Sequence, residues 1–329
     1  VTCDDFAQCM ADANPSSSLA AHLDVFKRWY AQAGTPRVES IGRWDAASQT
    51  YTLKLRQSCP ATPGQAEKLP FLIPVRMGLL GADGSALPLQ LEGEIAAVGT
   101  ERVLLLTEAD QYFTFVGVSQ APTPSLFRGF SAPIIHISAK NLPEQLLILQ
   151  HDSDAFNRWE AGQQLVVQAV LAALGAPELP ATPLPVQLLE VLRAILRDES
   201  LDASLRAMLL TLPAESYLAE QVQVLDAQKL HRVREAMRAQ LAQALHADWL
   251  AVFAAHSDTG AYAPTALETR ILDLAVGDEA GWSASFATPK GTFGALANVI
   301  HETEIADDDD KEDAFKAAVA AAARRVIEE

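Results

Sequence analysis

The stretch "TYTLKLRQSCPATPGQAEKLPFLIPVRMGLL", residues 50–80, decides the fold. In its first residues Tyr51, Leu53 and Leu55 alternate with Thr52, Lys54 and Arg56. Successive side chains of an extended chain point to opposite faces, so this alternation makes one face apolar and the other polar. The Pro and Gly of "CPATPG" (59–64) then supply turn chemistry, and "FLIPVRMGLL" (71–80) reads as a strand returning through the same core. Working outward, "RVLLLTE" (102–108), "QYFTFVGV" (111–118), "SLFRGF" (125–130) and "PIIHIS" (133–138) continue the pattern. Between them lie "GADGSALP" (81–88) and "APTPS" (121–125), again rich in turn residues. About seven short strands in roughly 100 residues, without helices between them, predict a small antiparallel Ig-like β-sandwich over residues 35–137. Phe113, Phe115, Phe127 and Phe130 fall on these strands, where core packing is the expected role.

On both sides of this region the period changes to 3.6. Within residues 1–33, "LAAHLDVFKRWYAQAG" (19–34) sets Leu19, Leu23, Phe26 and Tyr30 at helical spacing, and Gly34 with Pro36 ends the pattern. From Asn141 onward helical spacing returns. "QKLHRVREAMRAQLAQALHADWLAVFAAH" (228–256) carries Leu230, Val233, Met237, Leu241, Leu245, Trp249 and Val252 on one stripe. Further helices are predicted in "AGQQLVVQAVLAAL" (161–174), "PVQLLEVLRAILRD" (185–198) and "ASLRAMLLTL" (203–212). Consecutive amphipathic helices with short links bury their stripes on one another, so residues 141–329 are expected to form an all-α helical array. The fold class is therefore α+β multidomain, sandwich first and helical array second. The last stretch, "ADDDDKEDAFKAAVAAAARRVIEE" (306–329), is a good intrinsic helix former with a thin apolar face.

The chain has 329 residues, 49% of them apolar and 20% charged, with a formal net charge of -17. Enough apolar side chains are present for two cores, and wholesale disorder is excluded. Phosphate backbones and anionic lipid both demand a basic surface that this composition does not supply, so neither nucleic acid nor membrane is expected as a partner. No apolar run approaches the ~18–20 residues that span a bilayer. "VTCDDFAQCM" has neither the basic nor the apolar region of a signal peptide, and three Cys (Cys3, Cys9, Cys59) at uninformative spacing read as reduced thiols. A cytoplasmic protein is expected. The missing initiator Met suggests a chain that starts inside a longer polypeptide.

Chemistry is sparse. None of the seven His (His22, His136, His151, His231, His246, His256, His301) forms an H-x3-H pair with a nearby acid. "HDSDAFNRWEAG" gathers His151, Asp152, Asp154, Arg158 and Glu160 in ten residues. It reads either as a metal or acid–base cluster, or as a helix start with Ser153 or Asp154 as N-cap and Phe156 and Trp159 in the core. His301–Glu302 begins like the zinc-helix pattern H-E-x-x-H, but Ile305 occupies the second ligand position, so a solvated helix face is expected. The run Asp307–Asp310 lacks the alternation, central Gly and closing Glu of a calcium loop. No phosphate-binding glycine loop and no G-x-S-x-G occur. The residues therefore give no catalytic, cofactor-binding or metal-ligating position.

Several stretches resemble the bacterial aminopeptidase N (alanyl aminopeptidase) family of gluzincin zinc peptidases. They are "VTCDDFAQCMADA", "FKRWYAQAGTPRV", "YTLKLRQSCPATPGQAEKLPFLIPV", "SLFRGFSAP", "HDSDAFNRWEAGQ" and "ILRDESLDASLRAMLLTLPAESYLAE", in the family's order over residues 1–255. After "AYAP" (261–264) the likeness weakens. The resemblance implies an enzyme of four parts: an N-terminal β-domain, a thermolysin-like catalytic domain, a β-sandwich and a large helical domain. On that map residues 1–33 correspond to the last helices of the catalytic domain, residues 35–137 to the sandwich and residues from 141 to the helical domain. The G-A-M-E-N loop, the H-E-x-x-H helix, the downstream Glu ligand and the catalytic Tyr would all lie upstream of Val1, so no site residue carries over. The resemblance thus implies a C-terminal scaffold portion, with the catalytic domain of the same polypeptide as its partner. Zinc and short peptide substrates are implied for the full-length protein only. The other reading of the residues is a stand-alone sandwich-plus-helix interaction module without enzymatic activity.

Overall fold

The computed structural model describes residues 1–180 and 183–256. It divides into two compact units, Val1–Gln168 and Ala169–Glu329. His301–Glu302, Asp307–Asp310 and the helix expected near the end of the chain lie outside the described residues.

The first unit opens with α1 (Cys3–Ala13), whose N-terminus is closed by a reciprocal capping box between Thr2 and Asp5. Three single-turn helices follow, α2 (Ser18–Ala21), α3 (Leu23–Phe26) and α4 (Arg28–Ala31), in place of the continuous helix expected there. The pattern breaks at His22, whose backbone (φ -129°, ψ 27°) is not helical. Gly34, at φ +96°, turns the chain into the sandwich through a left-handed conformation that a side chain would strain.

The strands are β1 (Arg37–Asp45), β2 (Thr50–Ser58), β3 (Ile73–Leu80), β4 (Ala86–Leu87), β5 (Glu101–Leu106), β6 (Asp110–Phe115), β7 (Thr123–Leu126) and β8 (Ile135–Ser138). One sheet runs β6-β2-β1-β8; the other runs β4-β3-β5, with β7 also paired to β3. All the ladders are antiparallel except that of β8, which lies parallel to β1 with Val38 opposite His136. The alternation in β2 is realised as expected: Tyr51, Leu53 and Leu55 are buried, against Ile73, Val75 and Leu104 in the same core cluster.

β1 was not legible as a strand, although it is central to its sheet. The inward-facing positions opposite Leu55 and Leu53 are Ser40 and Gly42, which carry no apolar signal. "SLFRGF" differs as well. The strand stops at Leu126, and a 3-10 turn (Arg128–Phe130) follows, so Phe127 and Phe130 are turn residues and Phe130 is 55% exposed.

The unit continues through α5 (Leu142–His151), opened by an Asn141–Glu144 capping box, into α6 (Ala155–Gly175). In the second unit come α7 (Val186–Arg197), α8 (Ala203–Leu209), α9 (Glu215–Ala219), α10 (Ala227–Ala244) and α11 (His246–His256). Leu230, Val233, Met237, Leu241, Leu245 and Trp249 are all buried and Val252 is half-buried, which realises the apolar stripe up to its last member. The single helix expected there is nevertheless interrupted at Leu245 (φ -110°, ψ 13°).

Cationic side chains close the C-termini of four of these helices. A helix leaves its last carbonyls without intrahelical donors, and the macrodipole makes that end negative. Arg158 Nε donates to Leu149 O of α5 at 2.9 Å, and Lys229 Nζ to Leu174 O of α6 at 2.7 Å and to Ala176 O just beyond it at 2.8 Å. Arg206 Nη1 donates to Leu196 O of α7 at 3.2 Å, and Arg193 Nη2 to Ala244 O of α10 at 2.6 Å, at the interruption.

Candidate functional site: two polar seams on the sandwich

The first seam joins the short helices to the β2–β3 connection. Trp29 Nε1 donates to Leu72 O at 2.9 Å, and its ring packs 4.7 Å from that of Phe71. The Gln32 amide acts as a surrogate strand, donating to Leu69 O at 2.9 Å and accepting from Leu69 N at 2.7 Å. Gln65 does the same in return, accepting from Ala33 N at 2.8 Å and donating to Ala31 O at 2.9 Å. Lys68 Nζ donates to Ala33 O at 2.9 Å, and the Arg28 guanidinium donates to Pro70 O. Most of these bonds link neutral groups, so the seam depends on shape and backbone pairing more than on charge.

Outside this seam the polarity of α1 is inverted. Its small residues, Ala7 and Ala11, are buried, while Phe6 is 57% exposed and Met10 46% exposed, one turn apart on the same face. Tyr30 of α4 is half exposed too. Large apolar groups outward and alanines inward are the reverse of what a terminal helix facing only water presents.

The second seam contains the "HDSDAFNRWEAG" residues and assigns each of them. Asp154 is the N-cap of α6, accepting from Asn157 N at 2.9 Å. Its other oxygen accepts from Gly129 N at 2.9 Å. Asp152 Oδ1 accepts from Arg128 Nη2 at 2.9 Å, with both side chains almost fully buried (2% and 0% exposed). The Arg128 Nε donates to Ser125 Oγ at 2.9 Å, and Nη1 reaches Glu101 at 3.4 Å. Asn157 Nδ2 donates to Ser125 Oγ at 2.7 Å and to Leu126 O at 3.0 Å. Glu160 accepts from Gln164, and His151 is exposed. Contrary to expectation, Phe156 and Trp159 are half-buried, while Asn157 and Arg158 take the buried positions.

This arrangement does not fit a metal ion. Both oxygens of Asp154 and one of Asp152 are committed to Arg128 or to backbone N–H groups, and no three His, Cys, Asp or Glu side chains among the described residues come together as a metal site.

One pair escaped the sequence reading: Ser40 Oγ lies 2.8 Å from His136 Nε2, brought together by the parallel β1–β8 ladder. Burial pushes the His136 imidazole down to about 3, aided by the neighbouring Lys140 charge. Phe127 stands edge-on, 4.9 Å away. A base so weakened, with no carboxylate bonded to its other nitrogen among the described residues, does not activate a hydroxyl. The pair is a cross-strand bridge.

Comparison with known proteins agrees with both halves of this architecture. A family described as a domain of unknown function with an Ig-like fold (DUF3458) matches residues 34–140, and its companion with ARM repeats (DUF3458_C) matches residues 143–276. The aminopeptidase N of Escherichia coli K12 is 37% identical over 257 residues, 78% of this chain and 28% of the relative. The Haemophilus influenzae aminopeptidase N is 34% identical over 254 residues, 77% of this chain and 28% of the relative. The crystal structure of Legionella pneumophila aminopeptidase A in complex with aspartic acid superposes with a TM-score of 0.73. It does so over 98% of this chain and 36% of that one, at 22% identity, which speaks to the fold. The chain thus spans about 28% of the length of the curated relatives it matches, and it belongs to the aminopeptidase N family.

Proposed function

We propose that this chain is the non-catalytic scaffold portion of a zinc-dependent, cytoplasmic aminopeptidase that removes N-terminal residues from short peptides. In this reading the zinc, its ligands and the peptide chemistry belong to the remainder of the polypeptide. The observation that carries the proposal is the pairing of the first seam with α1. Phe6 and Met10 face outward on α1, while α4, farther along the same N-terminal segment, is tied to the sandwich by Trp29, Gln32 and Gln65. A helix whose large residues face outward needs a covering partner, and a rigid tie transmits that partner's position to the sandwich. Three unpaired thiols agree with a reducing compartment.

The test is reconstitution. An aminopeptidase N relative truncated to remove its matched region is mixed with this chain and assayed on an Ala-linked chromogenic substrate. Activity should appear on mixing, vanish with chelator, and weaken when the added chain carries Phe6→Ser with Met10→Ser. Chelator-sensitive turnover by this chain alone would sink the proposal, and so would a stable chain that neither binds nor rescues the truncated enzyme. The latter result would favour the stand-alone interaction module.

A further inference from the structure

The second seam has the construction of a latch. We infer that the turn at residues 125–130 and the helix start at residues 152–158 lock together, so that residues 141–168 attach to and release from the sandwich as one piece. Four observations carry this.

First, the bonds converge. Ser125, Leu126, Arg128 and Gly129 on the turn meet Asp152, Asp154 and Asn157 on the helical side through four direct hydrogen bonds of 2.7–3.0 Å. Each side satisfies backbone or charged groups that the other would otherwise leave buried.

Second, the turn is strained. Phe127, Gly129 and Phe130 have φ of 58°, 60° and 53°. For the two Phe residues this left-handed backbone is strained, because their Cβ crowds the following carbonyl. The bonds from Asp154 to Gly129 N and from Asn157 to Leu126 O hold the turn in that shape, so the turn loses its support when the helices leave.

Third, the sheet has been cleared for the guanidinium. A Cβ on Gly78 of β3 would lie 2.6 Å from the Arg128 guanidinium carbon. Arg128 is buried against the sheet in the closed seam, and without Asp152 its guanidinium keeps only the Ser125 bond and the 3.4 Å contact to Glu101. A partly opened seam leaves a buried charge short of compensation, which separates two well-defined states.

Fourth, the closed state leaves one oxygen unmet by protein groups: Asp152 Oδ2 is buried without a hydrogen-bond partner among the described residues. Opening hydrates it. A network with one oxygen unmet lies closer in free energy to its open form than a complete one.

Native-state hydrogen exchange on the full chain tests the latch. Amides of residues 142–167 and of the turn should exchange through one common opening, well below the protection of β2 and β3. Arg128→Met should speed exchange across 142–167 by ~100-fold or more while β2 and β3 stay protected, because Asp152 is left buried and uncompensated. Arg128→Met combined with Asp152→Leu should return protection to within ~10-fold of the original. The latch is refuted if residues 142–167 in the unaltered chain exchange only together with β2 and β3. It is equally refuted if Arg128→Met speeds all regions alike or none. Should Arg128→Met fail to fold, the exchange pattern of the unaltered chain still decides.

Discussion

Tyr51 closes over Gly42: a Cβ at position 42 would stand 2.0 Å from the Tyr51 hydroxyl oxygen and 2.7 Å from its ring carbon. The tyrosine is buried in the sandwich core, and its hydroxyl has no hydrogen-bond partner among the described residues. Gly42→Ala forces this ring to shift within a packed core, which costs about 1–3 kcal/mol. Tyr51→Phe removes an unsatisfied hydroxyl, whose burial costs about 1–3 kcal/mol, and should leave stability unchanged or raise it. Urea denaturation of both variants checks this; a Tyr51→Phe chain clearly less stable than the original would show that a bound water satisfies the hydroxyl.

His136 gives the first unit a pH dependence of known sign. Its folded value lies at about 3, below the ordinary 6.5, because burial disfavours the charged ring. Between these values the unfolded chain binds a proton that the folded chain does not. Stability from this group is therefore full above about 6.5 and declines as pH falls toward 3, with a limiting slope of about 1.4 kcal/mol per pH unit. His136→Asn should flatten that part of the profile, as read from urea midpoints at pH 7, 6 and 5. Identical slopes for the two chains would place the titration elsewhere.

The seam at α4 should behave as a set of neutral clamps. Gln65→Ala removes the partners of Ala31 O and Ala33 N, and Gln32→Ala removes those of both Leu69 backbone groups. Each loss is expected to cost about 1–2 kcal/mol, with little dependence on salt. Limited proteolysis should then cut the segment before residue 34 sooner, leaving a protected sandwich. Unchanged cleavage in the double variant would mean that Trp29 on Phe71 holds the segment by itself.

What the sequence disclosed follows from which face carried the signal. β2 was legible because its inward positions are Tyr51, Leu53 and Leu55, and the α10 stripe because each inward residue is apolar. β1 was not, because between the inward Val38 and Trp44 stand Ser40, which turns to His136, and Gly42, which makes room for Tyr51, so the alternation is broken in hydropathy at mid-strand. The capping role of Asp154 could be read locally. The Arg128–Asp152 pair could not, since its members are 24 residues apart and each reads alone as an ordinary surface charge. Asn157 and Arg158 displaced Phe156 and Trp159 from the buried positions for the same reason: the partners that make their burial tolerable come from other elements.

Those distant partners matter most in the helical unit, where a chain of net charge -17 uses its few cations to close helix ends. Lys229 is the plainest case, with Leu174 O at 2.7 Å and Ala176 O at 2.8 Å. Lys229→Met keeps the aliphatic stem and removes both charge-assisted bonds, leaving the carbonyls at the end of α6 without these donors. The expected loss is about 1.5–3 kcal/mol, while Lys229→Arg should retain much of the original stability. Hydrogen exchange should localise the effect to the last turn of α6, since an end cap acts on the turn it closes. If Lys229→Met changes stability by less than a few tenths of a kcal/mol, solvent replaces the lysine at no cost. The cation would then be a bystander at that helix end.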